Sequence, residues 1–118
     1  SDVAAETRMR RILADSLGVV RDGGGLRKAA AELEALDLEG CSERLVRRRR
    51  LAQAMVACAL NREESRGAHW RADFPQTREE YQRTTVVRLA DGDLRVSLRD
   101  LPASVRNERV KPTTRSAR

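Results

Sequence analysis

The stretch Leu51–Leu60 reads LAQAMVACAL, with Gln53 its one polar side chain. A helix that is apolar nearly all round must be covered on more than one side, either by its own chain or by a neighbour. This demand constrains the fold more than any other feature of the sequence. The run then enters NREESRGAHWRADFP, residues 61–75, a dense cluster of charge that holds the only histidine and the only tryptophan of the chain. A buried helix that ends in such a cluster delivers it either to a catalytic or binding site or to a docking surface.

The remaining 3.6- and 2-residue periodicities indicate what is available to cover that helix. Over residues 2–17, Ala5, Met9, Ile12, Leu13, Ser16 and Leu17 share one helical face, and Gly18 is placed to end the helix in the left-handed conformation. DGGG at 22–25 reads as a loop, and a second helix runs from about Gly25 to Leu36 with Leu26, Ala29, Ala30, Leu33 and Leu36 as its stripe. After the linker DLEGCS, Ser42 is the expected N-cap of a third helix that continues to about Glu64. TREEYQ reads as a short helical turn capped by Thr77. RTTVVRLADGDLRVSL alternates on both sides of Asp91–Gly92, the pattern of a β-hairpin. The fold class is therefore mainly α: a three-helix bundle with a C-terminal hairpin over residues 1–102, then a flexible basic tail over 103–118. Two short helices and a hairpin hardly cover the third helix completely, so an exposed apolar face and self-association are expected.

Charge and cysteines exclude several functions. The net charge is +6, but Arg106, Arg109, Lys111, Arg115 and Arg118 stand against Glu108 alone in the tail, so the folded part is nearly neutral. Arg47–Arg50 wrap around a helix and form no flat patch, and no aromatic platform for bases is present. Nucleic-acid binding by a small basic module is the alternative of a different class, and it is disfavoured. The apolar run is about half the roughly 20 residues that span a bilayer, so direct membrane insertion is not expected. Cys41 and Cys58 are not spaced as a metal or redox pair and read as free thiols of a reducing, cytoplasmic setting. DGGGLRKAA matches neither dinucleotide nor Walker loops, and an apolar Cys58 paired with His69 is a poor nucleophile–base dyad. No catalytic residue, cofactor ligand or metal ligand is assigned.

As a group, the residues of the charged cluster resemble a family motif. Arg62, Glu64, Ser65, Arg66, Gly67, Ala68, His69, Trp70, Arg71, Asp73, Phe74 and Pro75 match the RxESRGAH-aromatic-RxDFP signature that closes the main helix in the C-terminal domain of the succinate dehydrogenase/fumarate reductase flavoproteins, a family that includes L-aspartate oxidase. Glu63 and Ala72 depart from it. LGVVRDGGGLRKAAAELEAL and EEYQRTTVVRLADGDLRVSL resemble the flanking segments, so the likeness covers about residues 6–98. RGAH followed by a hairpin points to the dehydrogenase/reductase branch, and the short 37–42 linker points to L-aspartate oxidase.

The resemblance implies a domain of a larger FAD-dependent oxidoreductase, with the FAD-binding and capping domains and the catalytic groups elsewhere. The fragment itself would not be catalytic and would bind no cofactor. Its implied role is to pack on those domains and to support assembly with an iron–sulfur subunit, which would hold the protein at the cytoplasmic face of a membrane through its partners. Arg62, Glu64, Ser65, Arg66, Gly67, His69, Trp70, Arg71 and Asp73 are then the candidate inter-domain docking residues.

Overall fold

The computed structural model describes residues 2–102. Three helices come first, α1 (Asp2–Ser16), α2 (Gly23–Ala35) and α3 (Glu43–Asn61), followed by a 3-10 turn (Glu79–Tyr81) and strands β1 (Arg83–Ala90) and β2 (Asp93–Asp100). This is the mainly α architecture that the periodicities predict. The basic tail expected over 103–118 lies outside the described residues.

The helices pack through the expected stripes. Ala5, Met9 and Ile12 of α1, Leu26, Ala29 and Leu33 of α2, and Leu45, Ala52, Val56 and Ala59 of α3 form one core, closed by Leu38. Small side chains at Ala5, Ala29, Ala52 and Ala59 thin this core, so each larger residue matters more. The helix starts are tied together: Ser42 caps α3 by accepting from Leu45 N, and Asp2 accepts from both the backbone N (3.0 Å) and the hydroxyl (2.7 Å) of Ser42. The consecutive arginines Arg47–Arg50 of α3 diverge as four successive helical residues must. Arg48 pairs with Glu6 of α1, Arg49 donates to Leu36 O at 2.8 Å, and Arg50 reaches Gly92 O at 3.4 Å.

Four local expectations are corrected. Gly18 does not adopt a positive φ; Leu17 N still donates to Leu13 O, and the Ser16 hydroxyl to Ile12 O. The α2 helix starts at Gly23, so the three glycines form its first turn, because the Asp22 and Asp73 carboxylates accept from Gly25 N and Gly23 N at 2.7 and 2.8 Å. The α3 helix stops at Asn61, before Glu64, where its last carbonyls are taken up by a side chain from the loop beyond. Thr77 caps nothing; its hydroxyl donates to Ser65 O at 2.5 Å.

The hairpin has the expected register, with Thr85 opposite Leu98, Val87 opposite Val96 and Leu89 opposite Leu94. Asp91 and Gly92 both take positive φ, 53° and 83°, which suits the right-handed twist of a two-residue turn. A lone hairpin is marginal in water, and this one leans on α3 through Leu94 and Val96, while Leu89 stays exposed.

Gly23 is required for a steric reason. A Cβ there would lie 2.8 Å from Asp73 Oδ2, 2.9 Å from Arg27 Nη1 and 3.0 Å from Arg71 Nη2. Arg71 is pinned by its own hydrogen bonds and cannot give way. Gly23→Ala is expected to destabilise the domain by about 1–3 kcal/mol, the cost typical of overpacking. At Gly25 the closest contact of a Cβ is an ordinary 3.5 Å, and Gly25→Ala is expected to be neutral or stabilising by about 0.5 kcal/mol. Urea unfolding midpoints of the two variants check the contrast.

Candidate functional site

The 62–75 loop is built around two buried ions. Glu64 is completely buried. Arg66 grips it side-on, Nε to Oε2 at 2.9 Å and Nη2 to Oε1 at 3.1 Å, while Arg62 Nη1 donates to Oε2 and Arg78 N to Oε1 at 2.9 Å. Burial pushes the Glu64 carboxyl up, but these four donors outweigh it and hold the pKa below the ordinary value. Arg62 also clamps the root of the hairpin, donating to Tyr81 O and Arg83 O at 2.6 Å each and to the Thr85 hydroxyl at 2.9 Å. The Tyr81 ring receives Arg62 and Arg78 at 5.6 and 5.2 Å from its centroid, within cation–π range.

Arg71, only 1% exposed, is the second buried ion. Its Nη1 donates to Leu60 O at 2.8 Å and Ala59 O at 3.3 Å, the last carbonyls of α3. Its Nε and Nη2 hold the two oxygens of Asp73 at 3.1 and 2.8 Å. Asp73 in turn accepts from Gly23 N at the start of α2. Cation and anion thus sit at the helix ends whose dipoles favour them. The Arg71 side chain and the backbone bond from Gly23 hold the Asp73 carboxyl below its usual range.

Ser65 and Gly67 set the course of the loop. Arg71 N donates to the Ser65 hydroxyl at 2.9 Å, and that hydroxyl donates to Phe74 O at 2.9 Å. Gly67, with φ 59°, turns the chain so that Arg66 and His69 exchange backbone bonds of 2.7 and 2.9 Å. On the far side, Arg21 N donates to Trp70 O and Ala72 N to Arg21 O, at 2.8 and 2.6 Å. These bonds lace the α1–α2 connection to the loop.

His69 has no free nitrogen for proton transfer. Arg21 can only donate, so the 3.0 Å contact from its Nη1 makes His69 Nδ1 the acceptor, and His69 Nε2–H donates to Arg62 O at 3.0 Å. The imidazole is neutral. Burial lowers its pKa first, and Arg21, Arg62 and Arg71 lower it further against the opposing pull of the Arg62 carbonyl. Cys58 lines a groove with His69, but burial pushes its thiol up and no free base faces it. Among the described residues no group of acids, histidines and cysteines could hold a metal ion. Among the described residues no helix is long and apolar enough to cross a membrane.

Glu64, Ser65 and Arg71 therefore bond inside the chain and shape its surface from behind. Trp70 (44% exposed), Gly67 and Ala68 face outward, as do Glu63, Ala72 and Pro75, with one edge of Arg66 and Asp73. Sequence reasoning missed Arg21, Asp22, Gly23 and Arg78 as members of this network. Asp22 and Gly23 were visible as an acid before a glycine-rich helix start.

Residues 42–117 match the family described as the fumarate reductase flavoprotein C-term, and the chain belongs to that family. Among curated proteins it is 46% identical over 76 residues to the L-aspartate oxidase of Rhodospirillum rubrum, covering 64% of this chain and 27% of that protein. It is 38% identical over 81 residues to the L-aspartate oxidase of Pyrococcus furiosus, covering 69% of this chain and 16% of that one. The chain thus spans about a quarter or less of these relatives. The fold is shared with a solved structure of E. coli quinol fumarate reductase FrdA, at TM-score 0.76 and 22% identity over 86% of this chain and 21% of that one. It is also shared with the Mycobacterium smegmatis Sdh1 complex, at TM-score 0.71, 19% identity and the same coverage.

The family is one of flavoproteins, and the residues present do not fit a flavin dinucleotide. The one glycine-rich helix start already has Gly23 N and Gly25 N occupied by the Asp73 and Asp22 carboxylates. A pyrophosphate there would meet two negative charges.

The ion network gives the fold an acid-sensitive profile. His69 stays neutral when folded, so below its ordinary value of 6.5 the unfolded chain takes up a proton that the folded chain refuses, and stability falls as pH drops. Glu64 and Asp73, both lowered, extend the loss below their ordinary 4.5 and 3.8. Glu64→Gln leaves Arg62 and Arg66 without their counter-charge and is expected to cost about 3–5 kcal/mol at neutral pH, with a weaker dependence on acid. His69→Gln is expected to remove the part of the loss that begins near pH 6.5. Thermal melts across pH for the three proteins check both.

Proposed function

We propose that this chain is the non-catalytic packing domain of an FAD-dependent oxidoreductase, docking on the flavin-bearing remainder of its parent. The observation that carries the reading is the seam between α1 and α3. Leu51 and Met55 of α3 are 63% and 46% exposed and, with Met9 and Leu13 of α1, line an apolar groove of about 300 Å³. At Met55 this groove meets a second one that leads to His69. A continuous apolar seam on a small domain marks an interface. The sequence Leu51–Leu60 asked for cover that the two other helices do not complete. The outward residues of the loop, Gly67 and Trp70 with the free edges of Arg66 and Asp73, extend the docking surface, while Arg62, Glu64, Ser65, His69 and Arg71 hold it rigid.

On this reading the parent is of the succinate dehydrogenase/fumarate reductase type. The domain also supports assembly with an iron–sulfur subunit, and partners hold the protein at a membrane. A second reading, an L-aspartate oxidase parent, is favoured by the 46% identity to the Rhodospirillum rubrum protein. Turnover of succinate, fumarate and L-aspartate by the full-length protein, normalised to bound flavin, separates the two.

The isolated chain is expected to take up no FAD on titration. In the full-length protein, Leu51→Glu and Met55→Glu place charge in the seam and are expected to lower flavin retention and the thermal midpoint. The same changes in the isolated chain should alter its stability by no more than about 0.5 kcal/mol, as for other exposed sites. Unchanged flavin retention in both full-length variants would sink the docking role of the seam.

A further inference from the structure

Two arginines of the site aim a side-on donor edge at a single carboxylate. Arg66 and Arg71 each place Nε and Nη2 on the two oxygens of one carboxylate, Glu64 and Asp73. This fork is the geometry in which a guanidinium recognises a carboxylate best. Arg21 is arranged in the same way up to the last step. Its Nη1 is held by His69 Nδ1, which leaves the Nε/Nη2 edge over. Its Nε is shielded from water and has no acceptor, and no acid among the described residues pairs with it. The residue as a whole is half-buried, but a sheltered donor without a partner is a rarity in folded proteins.

We propose that Arg21 receives the side-chain carboxylate of an aspartate or glutamate presented by the part of the parent protein outside these 118 residues. The inference rests on the reading that the α1–α3 seam faces that remainder. Arg21 lines the groove of about 260 Å³ formed with Leu17, Met55, Cys58, Arg62 and His69, at the loop end of the seam. Within this groove His69 is neutral and Arg62 is already matched by Glu64, so the uncompensated charge belongs to Arg21. The apolar walls, Leu17 and Met55, continue the seam. An acid carried on an apolar docking surface therefore has both halves of its environment matched. A free small acid in so open a groove would keep most of its water and gain little. The chain spans 27% or less of the curated relatives quoted above, so most of the acids of such a protein lie outside it.

The test uses the full-length protein carrying Arg21→Lys, treated with a water-soluble carbodiimide. This reagent joins an amine to a carboxylate in contact with it as an amide, with loss of water, and peptide mass mapping locates the bond. The expected product links position 21 to an aspartate or glutamate outside the 118 residues, with a yield that free succinate or L-aspartate does not change. A link only to an acid within the chain, a link suppressed by the free acids, or no link overturns the inference. Should Arg21→Lys lose its flavin-bound fold, phenylglyoxal labelling of the otherwise native protein decides. Arg21 should label more slowly than the exposed Arg47 and become reactive in Leu51→Glu, which opens the seam. Labelling as fast as Arg47, or protection that survives Leu51→Glu, overturns it. If Leu51→Glu releases flavin but position 21 finds no outside acid, seam docking stands and the carboxylate does not. If both fail, the seam is not an interface.

Discussion

Everything in the charged loop depends on where Arg71 sits. Its guanidinium closes the C-terminal end of α3 and, through Asp73, the N-terminal end of α2. Helix ends leave several carbonyls and N–H groups unbonded, and burying them without partners is costly. One ion pair answers both ends at once. Each charge lies at the dipole end that favours it, worth about 0.3–1 kcal/mol at an exposed site and up to about 2 kcal/mol when partly buried. The pair therefore fixes the distance between two helices as well as the exit of the chain from α3. The absence of a Cβ at Gly23 is what lets Asp73 come close enough.

The second pair, Glu64 with Arg62 and Arg66, does for the hairpin what Arg71 does for the helices. Taking a carboxylate wholly out of water costs several kcal/mol, and a buried ion pair is weak evidence for stability in itself. The gain here is geometric. Glu64 holds two guanidinium groups whose other donors are aimed at Tyr81 O, Arg83 O and Arg78 O, so a strand pair with little core of its own acquires a fixed root. An apolar residue at position 64 would pack without desolvation cost and would direct nothing.

The helices, the core stripes, the Ser42 cap and the Asp91–Gly92 turn were legible because each is written in side chains a few residues apart. The errors have the opposite character. DGGG read as a loop because three glycines weaken a helix locally; Asp73, 50 residues away, reverses that by bonding Gly23 N. The third helix was drawn past its end because Arg71, ten residues beyond Asn61, decides where it stops. Residues 62–75 were recognised as a unit by their match to a family motif, and the motif could not tell inward from outward groups. Glu64 and Arg71 look on paper like exposed charge, and they are the two most completely buried ions of the described residues. Arg21 lay within the flanking segment that resembles the family but had no role to read, since its partner His69 is 48 positions away.

The same network leaves His69, Glu64 and Asp73 without the free group that proton transfer needs. A general base needs an accessible lone pair and a pKa near the working pH. His69 has one nitrogen accepting from Arg21 and the other donating to Arg62 O, with its pKa pushed down by burial. Glu64 and Asp73 are held ionised by fixed donors. Glu64, His69 and Asp73 are each held by fixed partners in one state near neutral pH, and that suits a rigid surface. With these three groups held, the loop presents a fixed set of hydrogen-bond partners beside the apolar seam. Among the described residues, Arg21 Nε is the one sheltered side-chain donor still without an acceptor.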